Sequence, residues 1–116
     1  MNYFEKANDF YNLKQYKKAI EMYEISSKLQ SNKAVCLYNS AVCFIKLGEY
    51  NSAISLLSSA VKIKRQSSYF FNLGYCYAMI KNHKKSLINF NIAWSLNSSD
   101  KDCEKAIRIL LSGINR

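Results

Sequence analysis

The segment FFNLGYCYAMI at residues 70–80 decides the fold, because two earlier segments of the chain repeat its pattern. They are YFEKANDFYNL at residues 3–13 and LYNSAVCFIKL at residues 37–47. A fixed period of about 34 residues is typical of stacked copies of one supersecondary unit. Each segment has a small residue at the same place, with spacings of 34 (41 − 7) and 33 (74 − 41) residues: Ala7, Ala41 and Gly74.

Other positions keep the same two intervals, so the period rests on several columns. One residue is lost between Ala60 and Phe70, where a loop between helices absorbs a deletion at little cost. The sequence therefore predicts repeats over about residues 1–33, 34–66 and 67–99. The further columns are Tyr16, Tyr50 and His83; Ala19, Ala53 and Ser86; Tyr23, Leu57 and Phe90; and Ser26, Ala60 and Ala93.

Each repeat is predicted to consist of two helices. Apolar residues follow helical spacing, and the chain has no proline and only three glycines, so the turn signals of β-hairpins and sandwiches are missing. The first helices are expected near residues 2–13, 34–47 and 68–80, and the second helices near residues 16–29, 50–63 and 83–97.

The small residues are expected to mark close helix crossings, because only Gly, Ala or Ser leaves room there for a neighbouring aromatic ring. A large side chain in place of Gly74 or Ala53 is expected to cost about 1–3 kcal/mol. Gly48 is expected to end a helix, since glycine adopts the left-handed conformation without a Cβ penalty.

A seventh helix, expected over about residues 100–114, would cap the stack of repeats. Ser99 with Asp102 resembles a capping box at its start. At 116 residues the chain is long enough for one core and too short for two, so a single domain over residues 1–116 is predicted. The apolar stripe predicted for this helix consists of Cys103, Ile107, Leu110, Leu111 and Ile114.

The repeats resemble the tetratricopeptide-repeat (TPR) family, whose helix pair carries W-x2-L-G-x2-Y followed by A-x3-F. The third repeat matches best, with F-x2-L-G-x2-Y at residues 70–77 and S-x3-F at residues 86–90. The first repeat departs at Lys6, where the family prefers leucine, and the repeat-closing proline is missing throughout. The resemblance implies an all-α, right-handed superhelix of antiparallel helix hairpins with about seven helices.

In the TPR family the first helices line a concave groove, and the resemblance implies which residues of this chain would contact a ligand. Asparagine presents both a donor and an acceptor, so these side chains are suited to hydrogen-bond an extended peptide backbone. The implied function is a non-catalytic adaptor whose partner is a peptide, a protein or a partner helix. The expected groove residues are Phe4, Asn8, Tyr11, Tyr38, Asn39, Val42, Phe71, Asn72, Tyr75 and, on the seventh helix, Lys105.

Chaperone-binding members of the family combine asparagines with cationic residues to clamp a C-terminal carboxylate. Asn8 and Asn39 match the amide places of such a clamp, whereas Phe4, Ser68 and Asn72 stand at its cationic places. The sequence therefore disfavours binding of a heat-shock chaperone tail.

Two other interpretations of the groove residues stay open. In the first, Asn39 and Asn72 are solvated repeat residues, and Phe4, Tyr38 and Phe71 pack within the superhelix. In the second, an open aromatic trough receives a helix from a second copy, which would make the chain a self-associating or chaperone-like scaffold.

The formal net charge is +9, and no Asp or Glu occurs between Tyr50 and Ser99. Several lysines fall near the turns within the helix pairs, where they could steer an acidic partner. The preferred interpretation of these lysines is a solvated edge. Nucleic-acid binding is disfavoured, because it usually adds arginine and exposed stacking aromatics to such a surface. The lysines of this rim are Lys14, Lys17, Lys18, Lys46, Lys81, Lys84 and Lys85.

The residue pattern of an enzyme is missing from the sequence. His83 is the one histidine and is expected to pack in a helix turn, while Cys43 and Cys76 share a packing column. The four cysteines show no C-x-x-C spacing, so no metal, cofactor or disulfide is expected. Because no apolar run approaches the roughly twenty residues that cross a bilayer, we expect a cytoplasmic protein without a membrane partner.

Overall fold

The computed structural model describes the backbone of residues 1–114 and the side chains of residues 1–113. This part of the chain forms seven α-helices joined by short turns. No strand occurs in that part. The prediction of an all-α fold built from helix hairpins is confirmed. In chain order the helices are α1 (Tyr3–Asn12), α2 (Tyr16–Leu29), α3 (Lys33–Lys46), α4 (Tyr50–Ile63), α5 (Ser67–Met79), α6 (His83–Leu96) and α7 (Lys101–Ile114).

The start of α7 differs from the prediction, although all seven helices lie within one residue of their expected bounds. The carboxylate Oδ1 of Asp100 accepts from the backbone N–H groups of Asp102 at 2.9 Å and Cys103 at 3.2 Å. The Ser99 hydroxyl instead donates to Oδ1 of Asn97 at 2.8 Å. The predicted capping box of Ser99 and Asp102 is therefore wrong, because the charged Asp100 caps both N–H groups and complements the helix dipole.

The apolar stripe of α7 is narrower than predicted. Cys103 is buried, and Ile107 and Leu110 are half-buried. Leu111 is 44% exposed, since it lies one residue beyond Leu110 and about 100° further round the helix. The side chain of Ile114, also predicted for this stripe, lies outside the described residues.

The chain divides into two compact units, of which the first is Met1–Lys64 and the second begins at Arg65. In unit 1, α1 packs on α2, α2 on α3, and α3 on α4. In unit 2, α5 packs on α6 and α6 on α7. The single domain and the exact repeat limits proposed from the sequence stay predictions.

The core of unit 1 combines small residues with aromatic rings. Ala7, Ala19 and Cys43 are fully buried, and Tyr23 is 2% exposed. Partly buried rings pack against this cluster, including that of Phe10. Because the alanines occupy so little space, the helices approach closely enough to bury a whole tyrosine between them.

In the core of unit 2, α5 crosses α6 closely. A Cβ atom added to Gly74 would lie 2.7–2.8 Å from the ring of Phe90. The Ser86 hydroxyl on α6 donates to the carbonyl of Gly74 at 2.7 Å, and the Ser67 hydroxyl on α5 donates to the carbonyl of Ala93 at 2.9 Å. Both hydrogen bonds join small residues across the crossing, so the column of small residues holds the two helices together as well as leaving room for the ring.

The substitution Gly74→Ala is expected to lower the free energy of unfolding by about 1–3 kcal/mol, because a methyl group would overlap the Phe90 ring. Urea denaturation followed by circular dichroism measures the change. In a Phe90→Leu background the cost should shrink, since the ring is gone. Gly113→Ala is the control, because nothing lies within 4 Å of an added Cβ there. An equal cost of Gly74→Ala in both backgrounds would contradict the overlap.

The turns inside the three helix pairs share one left-handed residue each. Gly48 has φ +75°, as predicted, but the equivalent residues are Lys14 at φ +61° and Lys81 at φ +64°. In each turn the next backbone N–H closes the end of the helix, as when Gln15 donates to the carbonyl of Phe10 at 2.8 Å. The turn geometry is therefore common to all three pairs, and it is kept even where a lysine replaces glycine.

Lys14→Gly is expected to raise the free energy of unfolding by about 0.5–1 kcal/mol. Glycine removes a left-handed steric cost of about 1–2 kcal/mol but loses about 0.5–1 kcal/mol through its greater freedom in the unfolded chain. Gly48→Lys is the reciprocal change and should destabilise by a similar amount. Chemical denaturation of both variants checks this, and a loss of stability in Lys14→Gly would refute it.

Candidate functional site

The hydroxyl of Tyr23 on α2 links two of the predicted groove asparagines. It donates to Oδ1 of Asn8 on α1 at 2.5 Å. The side chain of Asn39 on α3 approaches the same phenol and lowers its pKa. Because the one O–H of the phenol is donated to Asn8, Asn39 can act on the phenol oxygen only as a donor. Asn8, Tyr23 and Asn39 are here called the amide relay.

The amide relay leaves different polar groups of the two asparagines available. Because Oδ1 of Asn8 accepts from Tyr23, the amide nitrogen of Asn8 keeps hydrogens to donate. Because Asn39 acts on Tyr23 as a donor, its carbonyl oxygen is left to accept. Both asparagines are half-buried. The relay thus offers one donor and one acceptor.

The relay lies in a pocket of about 280 Å³, here called the amide pocket. Two further tyrosines and a valine complete its walls, and none of these described lining residues carries a charge at neutral pH. Tyr11 also packs edge-to-face on Tyr16 at 5.6 Å between ring centroids, which holds its ring against the start of α2. The lining residues are Asn8, Tyr11, Tyr23, Tyr38, Asn39 and Val42.

Five of the six lining residues were expected from the sequence, and Tyr23 was not. Tyr23 falls in a column that Leu57 and Phe90 fill in the other repeats, and therefore looked like a packing residue. The signal that distinguishes it is chemical, because a tyrosine hydroxyl buried in a core requires a hydrogen-bond partner. Asn8 is that partner.

Phe4 does not join the lining of the amide pocket. Its ring packs edge-to-face on the ring of Tyr23, with 5.8 Å between centroids, and the side chain is half-buried. Phe4 therefore supports the relay from the core side.

The four predicted residues of unit 2 are described separately. Phe71 packs edge-to-face on Phe90 at 5.2 Å between centroids. The Asn72 side chain donates to the backbone carbonyl of Ser68 at 2.9 Å, within its own helix. Tyr75 is 38% exposed, and Lys105 is exposed on α7. Phe71 is thus a packing ring in this structure, while Tyr75 and Lys105 are open to contact.

Burial controls the ionisation of the amide relay and of the cysteines. The pKa of Tyr23 is raised to about 12, first by burial and then by the nearby Cys43 and Cys36 thiols, against a smaller lowering by the Asn39 hydrogen bond. Burial likewise raises the pKa of Cys43 to about 11 and that of Cys76 to about 12. These thiols are neutral at physiological pH and shielded from solvent, so they are poor nucleophiles.

Three other findings concern the described residues. His83 is exposed at the first position of α6, so the expectation that it packs in the turn is wrong. No group of three or more His, Cys, Asp or Glu side chains that could hold a metal ion occurs among the described residues. Within the same residues, no helix is both long and apolar enough to span a membrane.

The free energy of unfolding of the Tyr23→Phe variant is expected to be about 1 kcal/mol lower than that of wild type at neutral pH, because Asn8 loses its hydrogen-bond partner. The wild type should also lose stability between pH 10 and about 12, since the unfolded tyrosine ionises near 10 and the folded one near 12. That loss should be smaller in Tyr23→Phe. Denaturation curves recorded across this range test both points, and parallel pH profiles for the two proteins would contradict the second.

Comparison with known families and proteins gives three kinds of match. Residues 2–60 match the family model described as "Anaphase-promoting complex, cyclosome, subunit 3". The human protein sperm-associated antigen 1 is 27% identical over 88 residues, which are 75% of this chain and 10% of that protein. The chain thus spans about a tenth of the length of the curated relative that it matches.

Solved TPR domains share the fold. The first TPR domain of Spaghetti (RPAP3), bound to the HSP90 peptide SRMEEVD, has a TM-score of 0.92 and 16% identity, with 98% of this chain and 91% of that one covered. The second TPR domain of human RPAP3, in complex with the HSP70 peptide SGPTIEEVD, gives 0.86 and 18%, covering 94% and 92%. The yeast Sti1 TPR2AB domain, in a complex with pHSP90, gives 0.87 and 25%, covering 97% and 46%.

Proposed function

This chain belongs to the tetratricopeptide-repeat family, and from that premise we propose that it is a non-catalytic adaptor whose amide pocket binds an extended peptide segment of a partner protein. The amide relay is the observation that carries the proposal. It holds Asn8 by a hydrogen bond and places Asn39 beside the same phenol before any ligand arrives, so that little side-chain entropy is lost on binding.

The chemistry of the amide pocket suits a peptide backbone. The donor of Asn8 and the acceptor of Asn39 pair with a carbonyl and an N–H of the ligand, whatever its side chains are. The rings of Tyr11 and Tyr38 and the side chain of Val42 supply apolar contact area beside them. Hydrogen bonds to the backbone give affinity, and the apolar walls select the side chains that fit.

The missing charge in the pocket distinguishes this proposal from capture of a chaperone tail. The peptides in the two RPAP3 domain structures, SRMEEVD and SGPTIEEVD, end in acidic residues. Phe4, Ser68 and Asn72 stand where a carboxylate clamp would have cations, and the described walls of the amide pocket are neutral. We therefore propose an uncharged, internal peptide segment as the ligand in place of a C-terminal carboxylate.

The residues predicted on unit 2 belong to the proposal as a further contact surface. Tyr75 and Lys105 are exposed there, and Asn72 lies one turn before Tyr75 on α5. Phe71 contributes through packing, since its ring rests on Phe90.

The test is affinity capture from the lysate of the source cell with three proteins: wild type, Asn8→Ala/Asn39→Ala, and the control Asn12→Ala/Asn51→Ala. The control removes two exposed asparagines of unit 1 that lie outside the pocket lining. We expect a protein that wild type and control retain and the pocket variant loses. For a peptide from that protein, the loss of two hydrogen bonds should weaken the Kd roughly tenfold.

Two controls make a negative result informative. Circular dichroism must show equal helicity in the three proteins, since both pocket substitutions touch the Tyr23 hydroxyl. The peptide SRMEEVD is the counter-probe and should bind far more weakly than the captured partner's peptide. If the pocket variant retains the same proteins as wild type, the amide pocket is not the binding site, and sedimentation against concentration then tests self-association.

A further inference from the structure

Two turns of the chain carry the same basic pattern. They read KQYKK at residues 14–18 and KNHKK at residues 81–85, which are 67 residues (81 − 14) apart. They are called here the basic turn of unit 1 and the basic turn of unit 2. The middle repeat has GEYNS at residues 48–52, without a lysine. Since all three turns have the same backbone geometry, the fold does not require lysine at these positions.

The first lysine of each basic turn occupies an unfavourable conformation. Lys14 and Lys81 have φ of +61° and +64°, where the equivalent Gly48 fits without steric cost. Local stability alone would favour glycine or asparagine at both places. We take the conformational cost at both lysines as an indication that their charge has a use.

The remaining lysines also stand where helix electrostatics disfavours them. Lys17 and Lys18 lie in the first turn of α2, and Lys84 and Lys85 in the first turn of α6, beside the positive end of each helix dipole. Neither helix has an acidic residue in its first turn. Each basic turn thus concentrates positive potential from three side chains and the helix end.

None of the ion pairs among the described residues involves these lysines. The ion pairs among the described residues use Lys28, Lys101 and Arg108. The basic turns use aromatic rings instead, since Lys18 lies 5.7 Å from the ring centroid of Phe10 and Lys85 lies 5.6 Å from that of Tyr77. These two contacts occupy equivalent positions, and a cation–π contact leaves the positive charge available to an outside anion.

We propose that the two basic turns are docking surfaces for acidic segments of a protein partner. Charge complementarity identifies the acidic component. An apolar component follows from the exposed aliphatic side chains next to the lysines, with Leu13 at 66% and Ile80 at 38% exposure. In unit 1, Leu47 and residues 14–18 line a depression of about 420 Å³, large enough to seat side chains of such a segment. This surface is separate from the amide pocket and does not depend on what that pocket binds.

Two other polyanions fit the basic turns less well. A nucleic acid would be expected to meet arginine and open aromatic faces, but the turns contain no arginine and the neighbouring rings of Phe10 and Tyr77 are covered by lysines. Each lysine near an anionic bilayer contributes about 1 kcal/mol to the binding free energy. Three lysines alone therefore give only weak, reversible attachment to a membrane. A peptide that offers glutamates and leucines satisfies both the charges and the aliphatic groups.

The experiment is an NMR titration of ¹⁵N-labelled protein with the peptide EELEELEE and with its neutral counterpart QQLQQLQQ. We expect amide shifts at residues 13–18 and 80–85 with the acidic peptide only, weakening as salt is added. The triple variant Lys14→Gln/Lys17→Gln/Lys18→Gln tests the basic turn of unit 1. The Kd for the acidic peptide, measured from the shifts at residues 13–18, should rise roughly tenfold, whereas the Kd measured at residues 80–85 should be unchanged. Lys33→Gln/Lys62→Gln/Lys64→Gln removes the same net charge from unit 1 and should leave both sets of shifts as in wild type.

Each remaining outcome overturns the proposal. Absence of shifts in wild type, or an equal loss in the control variant, would show that the turns are only a solvated rim. Tighter binding of a single-stranded oligonucleotide, or of phosphatidylserine vesicles, through the same lysines would assign the surface to that partner instead.

The variant Lys14→Gly/Lys81→Gly separates loss of charge from loss of folding. It should bind the acidic peptide less tightly than wild type while unfolding at a higher urea concentration.

Discussion

The close crossing of paired helices is the constraint on which the rest of this structure depends. At Gly74 the space above the backbone is filled by the ring of Phe90, and no methyl group fits between them. Ala7 and Ala19 play the same part in unit 1, where both are fully buried. A crossing this tight limits how far the helix axes can move apart or together, because the Phe90 ring lies directly against the backbone at Gly74.

The amide relay is a consequence of that constraint. Tyr23 extends from α2 and meets side chains of both α1 and α3, which requires the three helices to keep their separations. The phenol hydroxyl is buried beside two cysteine thiols, and its raised pKa reflects an environment with little water. Hydrogen bonds made in such an environment are stronger than those at an open surface. The same tyrosine thus completes a core and orients the polar groups of the amide pocket.

Sequence patterns predict the parts of this structure that depend on local spacing, and they fail where a contact joins distant residues. The seven helices and the left-handed Gly48 follow from periodicity and from glycine's freedom, both of which are visible in a single repeat. The link between Tyr23 and Asn8 spans 15 residues and two helices, so no spacing rule reveals it. The left-handed conformation of Lys14 was not predicted either. Sequence rules assign such positions to glycine, and this chain has a lysine there. The cap of α7 was misplaced by one residue because Ser99 and Asp100 are both good cap residues, and only their hydrogen bonds decide between them.

The two surfaces of unit 1 differ in electrostatics although they are neighbours. Tyr11 lines the neutral amide pocket and packs edge-to-face on Tyr16, which lines the depression at the basic turn. A neutral pocket favours ligands by shape and hydrogen bonds, which act only at contact. The lysines act over about 8–10 Å at physiological ionic strength, so they attract an acidic segment before it touches the protein. A partner that carries an uncharged segment next to an acidic one would use both surfaces, and its two weak contacts would reinforce each other through the effective concentration that the shared chain creates. A glycine at residue 14 would make the turn more stable, but it would make the surface less attractive to such a partner. The conformational cost of Lys14 is then offset by faster and more selective association with that partner.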